Sequence, residues 1–223
     1  MTAQSSLKLK NNEVFQLSGN VFLLDTLLFD ENSQLLLDPQ HSNCLIRVNT
    51  LIVLGKASIE GNGLRGKDGE EGEGGSINSV WVNGRPGTSG TSAIDLTFNF
   101  QNVLFKDTLL IVLTGGNGGS GGRGGYVEVP RSGNQNNYQW AERPTRGVGG
   151  NGGDGGNGGK LIISCPGDIE KIVRQMIDVQ SQRGNGGLSG TPKESKVPEW
   201  YYQQERNGSK GKKGKIEFIL LKR

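Results

Sequence analysis

The side chains in this 223-residue chain that are equipped for chemistry are few and dispersed. His41 is the only histidine, and its D-P-Q-H-S-N context is a turn that suggests no partner for a catalytic triad. Cys44 and Cys165 each sit inside an apolar run and read as small buried hydrophobes, with a bridge between neighbouring segments left open. Aspartates and glutamates are numerous but scattered over turns and glycine-rich stretches, so no pair has a fixed separation for acid–base work. Gly61–Gly66 spells G-x-G-x-x-G after a strand, yet the following K-D-G-E-E-G-E-G-G cannot form the helix that a dinucleotide fold requires. Gly149–Asp154 fits the first six positions of a calcium-binding β-roll repeat, but Gly156 stands where that repeat needs an apolar side chain. Gly159-Lys160 lacks the Ser/Thr of a phosphate-binding loop. The reading is a protein that is not an enzyme, with no catalytic residues, cofactor or metal.

The aromatic residues with polar handles are distributed otherwise. Trp81, Trp140 and Trp200 each lie in a different glycine-poor insert, and all four tyrosines, Tyr126, Tyr138, Tyr201 and Tyr202, lie in the same inserts. Every phenylalanine lies outside them. Trp, Tyr and Arg are the residues on which binding energy concentrates at interfaces, so these together with Arg131 and Arg143 form the candidate recognition set. Each Trp can equally pin its own loop against whatever lies beneath it.

The elements that must present these loops are rich in glycine. In Gly147–Gly159, G-V-G-G-N-G-G-D-G-G-N-G-G, the period is three, the period of polyproline II, which has no internal hydrogen bonds and must bond to neighbours if folded. Five further blocks keep that period: Gly63–Gly75, Gly84–Gly90, Gly115–Gly125, Gly184–Gly190 and Gly208–Gly214. Flexible linkers also favour glycine, but they have no reason to keep phase or to occur in pairs. The six blocks pair as three hairpins around distal loops 76–83, 126–146 and 189–207. A face made only of glycine admits a neighbouring backbone, and the two doubled blocks have two such faces. They are therefore expected in the middle, with Gly115, Gly118, Gly121, Gly124, Gly150, Gly153, Gly156 and Gly159 as packing positions. A collagen triple helix is disfavoured, because only Pro86 of the seven prolines falls in a block.

With 38 glycines and 32% hydrophobic residues, the apolar side chains must be concentrated in a base. Residues 1–62 carry short Val/Ile/Phe/Thr-rich runs broken by S-G-N, D-E-N and D-P-Q, which read as strands of a β-solenoid or small sandwich. Similar segments recur at 91–114 and 160–183, and 215–223 reads as a closing strand. Over 168–182 the apolar spacing fits a helix, while position in the repeat favours a strand. The expected fold is mainly β with no substantial helix: base 1–62, hairpins and interleaved strands over 63–214, then the closing strand. No run approaches a membrane span, no leader opens the chain, and a net charge of +3 does not argue for nucleic acid. Synthesis in the cytoplasm without a signal peptide is expected.

Paired glycine motifs such as G-G-N-G-G-S-G-G-R-G-G and G-G-N-G-G-D-G-G-N-G-G, with irregular loops between them, resemble the receptor-binding adhesins at the tail-fibre tips of T-even-type bacteriophages. Similar blocks occur in β-helical bacterial surface proteins. The resemblance covers 61–214 and implies a sandwich of polyglycine II helices, a virion location, and distal loops that bind a bacterial surface receptor, either an outer-membrane protein or a glycan. It also implies attachment to a tail-fibre protein or other subunit through the base. This chain departs from the family in having fewer glycine helices and a strand-rich base that recurs between hairpins. The alternative is a structural scaffold that uses the glycine segments for assembly.

Overall fold

The computed structural model describes residues 4–73, 83–125, 147–191 and 206–221. Among them are eleven strands and one short helix. Six strands form one sheet: β1 (Gln4–Leu9), β3 (Val21–Phe29), β5 (Asn43–Val53), β7 (Asp95–Phe105), β9 (Leu161–Pro166) and β11 (Ile216–Leu221), in that order. Five form the second: β2 (Val14–Gln16), β4 (Ser33–Leu36), β6 (Ala57–Glu60), β8 (Leu109–Val112) and β10 (Ile177–Gln180). Every pairing is parallel and joins strands two apart in sequence. The chain thus passes from one sheet to the other and back on each turn, which is the winding of a β-solenoid and not the antiparallel pairing of a sandwich.

Alternation of apolar and polar residues fills the space between the sheets. Cys44, Ile46 and Val48 of β5 stack on Leu96, Phe98 and Phe100 of β7, and Leu161, Ile163 and Cys165 of β9 extend the layer, all buried. The Phe98 and Phe100 rings meet edge to face with centroids 5.1 Å apart. Midway along the long strands the inward spacing jumps from two to three, Leu24 to Leu27 and Val48 to Leu51. The residues at that step, Asp25 and Asn49, are exposed and stack, with Asn49 Nδ2 donating to Asp25 Oδ1 at 2.6 Å. The polar step turns each long strand around the core. Cys44 and Cys165 are free.

Residues 168–182, where the apolar spacing fits a helix and position in the repeat favours a strand, hold α1 (Glu170–Met176), followed directly by β10. Both signals in 168–182 therefore count. Val173 is the buried helical contact, and Ile177 resumes the sheet. A helix fits here because it spans the corner between β9 and β10, where no neighbouring strand holds the backbone extended.

Candidate interaction surface

One corner of the solenoid, between a strand of the second sheet and the next strand of the first, changes character along the chain. In the first two turns it is short, at residues 17–20 and 37–42, and Asp38 ties the two together by accepting from Gly19 N at 3.2 Å and Gln40 N at 3.0 Å. Those contacts, the Gln40 bond foremost, hold the Asp38 carboxyl below its usual range. His41 Nε2 lies 3.7 Å from the Asp38 carboxylate in the same turn. At the next three passages the corner opens into the glycine-rich stretches 61–94, 113–160 and 181–215.

The ladders of the solenoid run directly into these stretches, with a change of period. After Gly61 N donates to Val112 O, the bonds recur every third residue: Gly63 to Thr114, Gly66 to Asn117, Gly69 to Ser120 and Gly72 to Arg123, at 2.7–2.8 Å. Gly115, Gly118 and Gly121 donate in turn to Gln182, Asn185 and Leu188. A second series links Gly84, Gly87 and Gly90 to Val148, Asn151 and Asp154, and Gly152, Gly155 and Gly158 to Arg206, Ser209 and Lys212. Cross-bonds join the series: Gly116 and Gly119 donate to Thr91 and Thr88, Gly153 and Gly156 to Gly119 and Gly116, and Gly184 and Gly187 to Gly156 and Gly153. Residues 113–125 exchange backbone bonds with four other glycine segments, and so do 147–159.

A Cβ placed on Gly115, Gly118, Gly121 or Gly124 would strike the carbonyls of Gly156, Gly153, Gly150 and Gly147 respectively. One on Gly150, Gly153, Gly156 or Gly159 would strike those of Arg85, Thr88, Thr91 and Ile94. Contact between backbones is what fixes glycine here, and it also accounts for Gly63 and Gly66, whereas a Cβ on Gly61 would meet the side chains of Leu37, Leu113 and Ile94; the motif-like spacing serves packing.

The third residue of each triplet has a use that the sequence reading missed. Several N–H groups at these positions have no backbone acceptor in the ladders, and a short polar side chain on a neighbouring segment supplies one. Thr114 N donates to Asn62 Oδ1 at 3.0 Å and Ser120 N to Asp68 Oδ1 at 2.7 Å. Asn185 N donates to Asn117 Oδ1, and Arg206, Ser209 and Lys212 N donate to Asn151, Asp154 and Asn157 at 3.0, 2.6 and 2.7 Å. Asp154, read above against a calcium repeat, is committed to this ladder. The signal was legible as the run of Asn and Asp at every third position, whose short side chains carry a carbonyl-like oxygen; the hydroxyls of Thr91, Thr88, Ser89 and Ser92 accept in the same way from Leu64, Lys67, Asp154 and Asn157 N.

Charge is sorted between the outer segments. The first glycine segment carries Arg65, Lys67, Asp68, Glu70, Glu71 and Glu73; Arg65 pairs with Asp68 within it, and Arg85 of the second segment pairs with Glu70, each at 3.0 Å. The last carries Arg206, Lys210, Lys212, Lys213 and Lys215, all exposed, and none forms an ion pair among the described residues.

Gly124 and Gly147 lie next to each other where the described parts of the second hairpin end. Tyr126, Arg131, Tyr138, Trp140 and Arg143 fall between them in sequence; these five, with Trp81, Trp200, Tyr201 and Tyr202, lie outside the described residues. Among the described residues no group of three His, Cys, Asp or Glu is placed to hold a metal ion, and no helix is long and apolar enough to cross a membrane.

These features define a parallel β-solenoid from one corner of which glycine-rich hairpins emerge. Comparison with protein-family models, curated proteins and solved structures returns no match.

Proposed function

We propose that the six glycine segments are polyglycine II helices packed in two layers, and that this stiff bundle carries three loops as a receptor-binding module of the adhesin type. The observation that carries the proposal is the period-three ladder. Threefold recurrence of donors, combined with bonding to several neighbours at once, is the requirement of a helix with three residues per turn and no internal bonds.

Each pair of described segments runs out from the same corner of the solenoid and back, so the described ends that flank the three loops share one end. Those loops hold every Trp and Tyr of the chain. The described ends that flank 126–146 belong to the two segments with most partners, and hot spots concentrate at the centre of an interface. Tyr126, Tyr138, Trp140, Arg131 and Arg143 are the contact residues of loop 126–146, with Trp200, Tyr201 and Tyr202 second and Trp81 third. The receptor class is a bacterial surface protein or glycan, the placement a phage tail-fibre tip, and the base joins the carrier particle.

Replacing Arg131–Ala141 by a short Gly-Ser linker, alongside single Ala variants of Trp81, Trp140 and Trp200, tests this on whole bacterial cells. The expected result is loss of cell binding with an unchanged melting temperature and oligomeric state. Retained attachment would remove the loop from the site. Loss of assembly would instead support the scaffold role.

A further inference from the structure

We infer that the last glycine segment, residues 206–215, is a docking edge for an acidic polysaccharide, separate from the distal loops. It takes its biological setting from the receptor-binding reading above.

Five cations stand within ten residues, Arg206, Lys210, Lys212, Lys213 and Lys215, in a chain whose net charge is only +3. Charge on an outer segment has an ordinary explanation, since open backbone edges invite pairing with another molecule and charged side chains discourage it. The first segment, on the opposite side, serves that purpose with mixed charge, Arg65 paired with Asp68 and Glu70 with Arg85 of the neighbouring segment. The last segment departs from that solution, leaving all five cations without a carboxylate partner among the described residues.

Its backbone adds a second observation. Gly208 and Gly211 donate inward to Gly187 and Gly184 at 2.9 and 3.1 Å, and Ser209 and Lys212 donate to Asp154 and Asn157. The N–H groups of Lys210 and Lys213 make no hydrogen bond among the described residues. Lys210 and Lys213 thus place an ammonium and an unsatisfied N–H on the same open edge, three residues apart. At about 3.1 Å per residue that repeat is roughly 9 Å, and Lys212 and Lys215 repeat it on the adjoining face. A backbone held by inward bonds keeps the comb straight, so little order is lost on binding.

The partner that fits is an extended chain carrying widely and regularly spaced anions together with hydroxyls that accept from the free N–H groups. Single-stranded nucleic acid fits less well, because its binding surfaces combine cations with aromatic platforms, and residues 206–215 contain no aromatic side chain.

The test uses the full chain on immobilised heparin, with oligo-dT as comparator. Lys210→Ser/Lys212→Ser/Lys213→Ser removes three cations from the last segment, and Arg65→Ser/Lys67→Ser/Arg85→Ser removes three from the opposite edge at equal net charge. Expected are a loss of roughly tenfold or more in heparin affinity for the first variant, a shallower salt dependence, and under about twofold change for the second. Heparin should also protect Lys210, Lys212 and Lys213 of the unmodified protein from acetylation. Equal losses in both variants, no loss in the first, absent protection, or equal retention on oligo-dT would each overturn the inference. The Arg131–Ala141 loop replacement is expected to keep heparin binding, so failure of the loop proposal and failure of this one give different results.

Discussion

The carboxylate of Asp68 accepts a hydrogen bond from the backbone N–H of Ser120, fifty-two residues further along the chain, at 2.7 Å. That bond is the main cause of a pKa held below the carboxylate value of 3.8, with Arg65 adding a favourable charge. The folded state therefore favours the ionised form, and this contribution is complete above pH 3.8 and lost as pH falls through the lower folded value. Asp68→Ala should lower the melting temperature at neutral pH and lessen the fall in stability on acidification. Asp68→Asn, which keeps an acceptor, should lose less than Asp68→Ala; equal losses would show that the acceptor is immaterial.

Asn157→Leu applies the same argument to a neutral acceptor. It leaves the Lys212 N–H unpartnered at an exposed position, where water replaces the lost acceptor. The expected cost is about 0.5–1.5 kcal/mol in urea unfolding, with Asn157→Asp close to neutral.

Glycine positions should divide by what stands opposite them. An added Cβ on Gly152 or Gly155 strikes the carbonyl of Gly187 or Gly184, and neither backbone can yield without breaking its own ladder. Gly152→Val and Gly155→Val are expected to destabilise by about 1–3 kcal/mol or more. Glu71→Ala, at an exposed position in the first segment, should stay within about 0.5 kcal/mol. Thermal melts of the three variants check the contrast.

The thiols should be silent in the native state. Burial pushes Cys44 up to about 11 and raises Cys165 as well, and both are unbridged. Native protein should react slowly with iodoacetamide near neutral pH, whereas two thiols should react rapidly in guanidinium without reductant. Because the Cys44 value is raised, its contribution to stability is present below 9.0 and lost as pH rises through about 11.

In the solenoid, Phe98 packs edge to face on Phe100 and is fully buried between the sheets. Phe98→Ala should cost about 3–5 kcal/mol in denaturant unfolding. The neighbouring outward residue Thr97 should tolerate Val with little change.

The mainly β character of the chain was legible without coordinates, because short runs rich in Val, Ile, Phe and Leu between turn residues can bury one face only as strands. The period of three in the glycine blocks was legible for a related reason: it matches neither the helical nor the strand period, so the backbone had to seek partners elsewhere. That every Trp and Tyr falls in the three glycine-poor inserts is a fact of the sequence alone, and those residues lie outside the described ones. Tertiary structure alone decided that the strands are all parallel and wind as a solenoid, since alternation along one strand is indifferent to the direction of its neighbour. It settled 168–182 as a helix followed by a strand, because the outcome turned on whether a paired strand lay alongside, and at the β9–β10 corner none does. It also assigned Asn62, Asp68, Asn117, Asn151, Asp154 and Asn157 as acceptors for distant N–H groups. Their types and period were visible in the sequence, but an acceptor has meaning only once its donor, more than fifty residues away, has been brought within 3 Å.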